Sequence, residues 1–122
     1  MFEFYRCEKC GNIVALVKKG GGTLTCCGQA MTRLVANTTD AAREKHVPAV
    51  TMEDGKIKVA VGSTLHPMLP EHYIEWIALA SDNKVVFKFL KPGEEPKAEF
   101  GEVETGAVYE YCNLHGLWKV DF

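Results

Sequence analysis

The chain has 122 residues, enough for one ordinary domain or one modest domain with a small appendage. Hydrophobic residues make up 47% and charged residues 25%, average globular usage that argues against disorder. Fourteen Lys+Arg against sixteen Asp+Glu leave a formal charge of -2, without the cationic excess that phosphate neutralisation needs, so nucleic acid is not an expected partner.

At the N-terminus MFEFYRC lacks the apolar core of a signal peptide, and none is expected. Residues 2–6 and 13–17 are short β-prone runs, followed by the turn Gly20-Gly21-Gly22 and a third run over residues 31–36. Cys7, Cys10, Cys26 and Cys27 all fall in this Gly-rich first segment, which is too short to bury a core and needs a metal, disulfides or a partner subunit. The polar stretch Asn37-Thr38-Thr39-Asp40 marks a boundary, predicting a small module over residues 1–36 and a larger domain over residues 37–122.

Residues 41–45 predict a helical turn capped by Thr39 or Asp40, which Pro48 keeps from growing. From there the apolar period is two. Ile57, Val59 and Val61 alternate with Lys56, Lys58 and Ala60, and Ile74, Trp76 and Ala78 oppose Tyr73, Glu75 and Ile77. Further strands are expected over residues 85–90, 107–112 and 117–122, with short ones at 50–52 and 98–100. Several short strands separated by turns predict a β-sandwich, so the chain reads as mainly β. Its longest apolar runs, Ile13 to Val17 and Trp76 to Ala80, have five residues each, against about twenty for a membrane span.

The odd total of five cysteines excludes complete internal disulfide pairing. Cys7-Glu8-Lys9-Cys10 is a CxxC knuckle, and fifteen residues separate it from the adjacent pair Cys26-Cys27. Thiolates at CxxC spacing can turn onto one ion, and Gly11 and Gly28 each follow a ligand where the chain must turn tightly. Four sulfurs suit tetrahedral zinc or iron, and spacing does not separate the two. The adjacent pair is unusual. Successive side chains on extended backbone point apart, so the backbone must bend there and the sulfur–metal–sulfur angle should open beyond tetrahedral.

The histidines lie elsewhere, at His46, His66, His72 and His115. Cys112-Asn113-Leu114-His115 is a CxxH pair ending a strand, a spacing at which thiolate and imidazole reach one ion. Spacing alone does not join it to the three distant histidines.

Seven segments together resemble the desulfoferrodoxins, the two-iron superoxide reductases. They are Cys7-x-x-Cys10, Cys26-Cys27-Gly28, Glu44-Lys45-His46-Val47-Pro48, His66-Pro67-Met68, Glu71-His72-Tyr73-Ile74-Glu75-Trp76, Phe89-Leu90-Lys91-Pro92-Gly93 and Tyr111-Cys112-Asn113-Leu114-His115-Gly116-Leu117-Trp118. The resemblance implies a desulforedoxin-like N-terminal domain in which Cys7, Cys10, Cys26 and Cys27 hold one non-haem iron. It implies a second iron on an immunoglobulin-like antiparallel β-sandwich, with His46, His66, His72 and His115 equatorial and Cys112 axial. It further implies reduction of superoxide to hydrogen peroxide, Glu44 as the ligand of the ferric resting form and Lys45 as the cation beside the open position. A rubredoxin-like electron donor and a homodimer follow from the same resemblance. Exposed ferrous iron and five thiolates fit a reducing cytoplasm.

Read without the resemblance, Glu44 and Lys45 are a solvated helical face. Two other classes compete for the whole chain. A cupredoxin-like electron carrier would want two His, one Cys and a weak axial Met, and no Met follows His115. A zinc-stapled binding module would use only the four cysteines. Metal content separates all three, and oxygen release separates a reductase from a dismutase.

Overall fold

The computed structural model describes residues 2–122, arranged as two compact units that divide between Val35 and Ala36. In the first, β1 (Glu3–Arg6) is the middle strand of an antiparallel sheet. β2 (Ile13–Leu16) flanks it on one side, β3 (Thr25–Cys26) and β4 (Gln29–Ala30) form a separate hairpin, and β5 (Thr32–Arg33) flanks it on the other side. The run expected over residues 31–36 is therefore only a two-residue strand, extended by the Leu34 N–H bond to the Phe4 carbonyl. The buried apolar residues of this unit are Phe4 and Cys7, while Val17 is 90% exposed. Burial of that size cannot hold so short a chain, and a metal cross-link is the natural substitute.

The second unit opens with α1 (Arg43–His46), a single helical turn. Its N-cap is Ala42 with no side-chain capping bond, so neither Thr39 nor Asp40 caps it as expected. The Ala42 carbonyl instead takes the His46 ring, and the turn is fastened through its metal-site residue.

Seven strands follow: β6 (Pro48–Glu53), β7 (Lys56–Val61), β8 (Ile74–Ala80), β9 (Val85–Phe89), β10 (Lys97–Gly101), β11 (Ala107–Cys112) and β12 (Gly116–Asp121). They form two antiparallel sheets, ordered β10-β7-β6 and β12-β11-β8-β9, and the result is a β-sandwich. Ile57, Val59 and Val61 from one sheet meet Ile77, Leu79 and Val108 from the other in one core cluster. Each such side chain, fully buried, contributes about 1.5–3 kcal/mol.

The simple alternation expected for β8 does not hold. Tyr111 pairs with Trp76 but Cys112 pairs with Ile74, so Glu75 is an extra residue, a β-bulge. The bulge turns Ile74 to the core side with Ile77 and Leu79, which alternation would not allow. It also lies beside Cys112, where the fold becomes a site.

Candidate metal centres

Two clusters of ligand-type side chains exist among the described residues: Cys7, Cys10, Cys26 and Cys27, and His46, His66, His72, Cys112 and His115. Within each, one potential ligand atom per residue lies within 4.8 Å of every other.

In the first cluster the Cys7 N–H bonds the Asn12 carbonyl and the Gly11 N–H bonds the Cys7 carbonyl, closing the knuckle. The Cys10 N–H points at the Cys7 sulfur, 3.5 Å away. On the opposite side Cys27 has φ 52 and Gly28 φ 77, the backbone bend that lets two successive sulfurs face the same way. A metal–sulfur bond of about 2.3 Å places tetrahedral sulfurs about 3.8 Å apart. Here Cys10 and Cys26 are 3.6 Å apart, and the adjacent Cys26 and Cys27 are wider at 3.9 Å. Asn12 Nδ2 also donates to the Cys26 sulfur at 3.7 Å.

Thiols this close titrate one after another. The Cys10 backbone N–H, helped by that of Lys9, lowers Cys7 to about 6, whereas Cys27, facing Cys10, Cys26 and Cys7, is pushed up to about 12. A divalent cation relieves that mutual penalty, because it prefers all four as thiolates.

The second cluster is assembled from α1, the loop after β7, the segment before β8, the last residue of β11, and the turn between β11 and β12. Its four imidazoles form a square. Ring centroids of successive members lie 4.7 Å (His46–His66), 4.6 Å (His66–His72), 5.1 Å (His72–His115) and 4.8 Å (His46–His115) apart, all at 76–88°. Across one diagonal His46 and His72 are 6.5 Å apart and nearly parallel, at 29°.

Two ring orientations are fixed from outside the square. His46 Nδ1 and His66 Nδ1 each lie 2.7 Å from a backbone carbonyl, of Ala42 and Pro67. A carbonyl only accepts, so both Nδ1 atoms carry the proton and both Nε2 atoms turn a lone pair inward. Those two Nε2 atoms face each other at 3.2 Å, and His46 Nε2 lies 3.1 Å from His115 Nδ1. Facing lone pairs at that distance call for a cation between them. Metal–nitrogen bonds of about 2.1 Å would put neighbours in a square about 3.0 Å apart. His72 Nε2 is buried without a hydrogen-bond partner, as an unfilled ligand position would be. The Cys112 sulfur sits 3.4 Å from His66 Nε2 and 3.9 Å from His115 Nδ1, supplying a fifth donor. The residues present fit an ion with four imidazoles and one thiolate.

Burial keeps this site in its ligating form. It holds His66 down to about 4, with the neighbouring imidazoles adding to the effect, and it lowers His46 and His72 as well. Burial raises Cys112, while the N–H groups of Leu114 and His115 pull it back toward the thiolate. His46, His66 and Cys112 are buried, but His72 and His115 are only half-buried, so the cluster opens on their side. Glu44 and Lys45 are exposed on α1, and the Lys45 ammonium is near enough to depress both His46 and His72. The Met68 sulfur is engaged by the Ile74 N–H at 3.4 Å. This is not the two-imidazole site with an axial Met that a copper carrier wants.

Comparison with known proteins returns one family along nearly the whole chain. Its N-terminal domain pattern, "Desulfoferrodoxin, N-terminal domain", matches residues 1–34, and its main pattern, "Desulfoferrodoxin", matches residues 38–121. This chain belongs to the desulfoferrodoxin family. The desulfoferrodoxin of Desulfarculus baarsii is 50% identical over 98% of this chain and 95% of its own length. That of Nitratidesulfovibrio vulgaris is 48% identical over 98% and 96%. Among solved structures, the superoxide reductase from Treponema pallidum aligns with a TM-score of 0.78 and 32% identity over 98% of both chains. The four-cysteine and four-histidine, one-cysteine sites match the iron centres of desulfoferrodoxins.

Two residues that support this desulfoferrodoxin site carry no metal-ligand signal in sequence, and a third lies two positions before Cys112 without a bond to the site. Trp118 stacks on His46 and donates its indole N–H to the His115 carbonyl. Asn113 accepts from the Tyr73 N–H and donates to the Glu71 carbonyl, fastening the CxxH turn to the segment that carries His72. Glu110 is fully buried in β11 with both carboxylate oxygens unpartnered. Trp118 and Asn113 stand inside the C-terminal family segment, which is the signal that could have found them.

Proposed function

We propose that this chain is a superoxide reductase that acts at the site of four imidazoles and one thiolate. The observation that carries this is the square of inward-facing imidazole nitrogens beside a buried thiol, open on one side and next to Lys45. His46, His66, His72, His115 and Cys112 would hold a ferrous iron, which when bound would supply the one electron that, with two protons, turns superoxide into hydrogen peroxide and leaves the iron ferric. The same reading assigns the four cysteines a relay or structural iron with no open position.

The chain's own contribution is electrostatic and positional. With a ferrous ion bound, four neutral imidazoles would cancel none of its charge and one thiolate would cancel half, so one net positive charge would remain at the opening. Lys45 adds to it, which draws in a small anion although the chain as a whole carries -2. The Cys112 thiolate is the electron-rich donor of the set and would favour electron donation by an iron held there. Glu44 is assigned as the carboxylate that would bind the iron in its oxidised form.

The same reading takes residues 1–36 as a desulforedoxin-like domain and residues 37–122 as an immunoglobulin-like reductase domain. Seven antiparallel strands in two sheets support the second assignment. The likeness to the Treponema pallidum superoxide reductase supports the activity. No helix among the described residues is long and apolar enough to cross a membrane. Five cysteines without a disulfide fit a reducing cytoplasm, and the homodimer and the rubredoxin-like donor rest on the family resemblance alone.

Product stoichiometry after pulse radiolysis tests the activity. The expected result is one hydrogen peroxide per superoxide and no oxygen, from protein holding two irons per chain. Oxygen release would make it a dismutase. Lys45→Ala is expected to slow the bimolecular step and flatten its ionic-strength dependence, and Glu44→Ala to alter the ferric absorption spectrum.

A further inference from the structure

The turn α1 carries Glu44, Lys45 and His46, yet four residues cannot hold a helical turn in place alone. Its carbonyls can be traced one by one. That of Ala42 takes the Lys45 N–H at 3.2 Å and the His46 ring at 2.7 Å, and that of Arg43 takes the Val47 N–H at 2.9 Å. The Glu44 carbonyl would ordinarily accept from the N–H four residues on, but that residue is Pro48, which has none. The orphaned oxygen is instead taken by the Thr64 N–H at 3.0 Å and the Ser63 hydroxyl at 3.2 Å.

Gly62 makes this approach possible. A Cβ at that position would sit 2.5 Å from the Glu44 carbonyl oxygen and 3.0 Å from both the Lys45 carbonyl carbon and the Val47 carbonyl oxygen. All three are backbone atoms, so nothing flexible can give way. The Gly62 N–H bonds the Thr64 carbonyl, and the His66 N–H bonds the Val61 carbonyl at 2.7 Å, so the same loop leads directly into His66. Neither the Glu44 nor the Lys45 side chain has a hydrogen bond or ion pair among the described residues. Their backbone sets where each side chain starts and the region it can sweep.

We propose that Gly62, Ser63 and Thr64 form a positioning strap that fixes the Glu44–Lys45 backbone and thereby sets how both side chains address the open side of the metal site. This rests on the roles given above to Glu44 and Lys45. The strap's bonds and close approach to α1 all go to backbone atoms, so the three are positioning residues.

The test uses iron-loaded protein and three readouts. These are the superoxide rate with its ionic-strength dependence, the ferric absorption spectrum, and hydrogen exchange at the Thr64 amide. Gly62→Ala is expected to speed Thr64 exchange about tenfold, lower the superoxide rate about three- to tenfold with a flatter salt dependence, and shift the ferric spectrum. Ser63→Ala, on the exposed side of the loop, is expected to move all three in the same direction by about two- to fivefold, and Ser63→Thr to restore them. Should Gly62→Ala fail to fold, the Ser63 pair decides.

If these variants leave all three readouts at wild-type values while Lys45→Ala slows the reaction, the strap is overturned and the reading of Lys45 stands. If Lys45→Ala and Glu44→Ala move neither rate nor spectrum, the roles of those side chains fall. Thr64 exchange in Ser63→Ala then decides alone: acceleration upholds the strap's hold on the turn, and an unchanged rate removes it.

Discussion

Trp118 lies against His46 with ring centroids 4.9 Å apart and planes 28° from parallel, and its indole N–H bonds the His115 carbonyl at 3.1 Å. One residue, 1% exposed, therefore braces two corners of the imidazole square. Trp118→Phe keeps a stacked ring and leaves the His115 carbonyl unpaired, with an expected loss of about 1–2 kcal/mol and faster iron release to a chelator. Trp118→Ala is expected to cost about 3–5 kcal/mol in denaturant unfolding. Wild-type iron release from Trp118→Phe would show that the indole bond does not brace the site.

Asn113 ties two ligand-bearing segments together through the Tyr73 N–H at 2.9 Å and the Glu71 carbonyl at 3.0 Å. Asn113→Ala removes both bonds, and an expected cost of about 1–3 kcal/mol should appear as easier loss of the sandwich iron. Asn113→Asp keeps the acceptor and loses the donor, so it should fall between. Equal chelator kinetics in all three proteins would rule out this fastening.

Glu110 is an acid in the core. Burial raises its pKa well above 4.5, and it has no hydrogen-bond partner to offset the cost. In the unfolded chain it ionises near 4.5, so above that pH the folded state holds a proton that the unfolded state has released. Its contribution to stability is full below the unfolded pKa and falls as pH rises toward the folded one, by up to about 1.4 kcal/mol per pH unit. Glu110→Gln removes this term and should be more stable by about 1–3 kcal/mol at pH 7. Urea unfolding of both proteins from pH 5 to 8 checks this: the difference should widen with pH, and parallel curves would refute it.

Metal removal should act unequally on the two units. With Phe4 and Cys7 as its buried apolar residues, the first unit depends on its cross-link, whereas the sandwich has a core of its own. A chelator with a thiol reductant should abolish amide protection in β1 and β2 and leave β7, β8 and β11 protected. Persisting protection in β1 would show that the first unit folds without metal. Cys27→Ser should weaken metal retention in the first unit alone.

The period-two runs made most of the sandwich legible, since Ile57, Val59 and Val61 do face the core. The β8 alternation failed because Glu75 is an extra residue, and a bulge has no compositional mark. Thr39 and Asp40 have capping chemistry, but the turn begins only at Arg43 and the cap position falls on Ala42, which has no side-chain acceptor. Local metal patterns, CxxC and CxxH, showed themselves through spacing. Joining His46, His66 and His72 to Cys112 and His115 needed the family resemblance or the fold, because bonds such as Asn113 to Glu71 that gather them act between segments far apart in the chain. The strap on Glu44 stayed hidden for the same reason: its clue is an absence, the missing N–H of Pro48.

The two ligand sets also differ in how much chain must be closed to collect them. Cys7 and Cys26 stand 19 residues apart, while His46 and His115 stand 69 apart and meet only when both sheets have paired. Long loops close late and slowly in folding. The short segment can therefore capture its ion early, with capture driving its folding, while the sandwich must close before its five donors exist as a site. Loading follows opposite orders in one chain: metal before structure at the N-terminus, structure before metal beyond it.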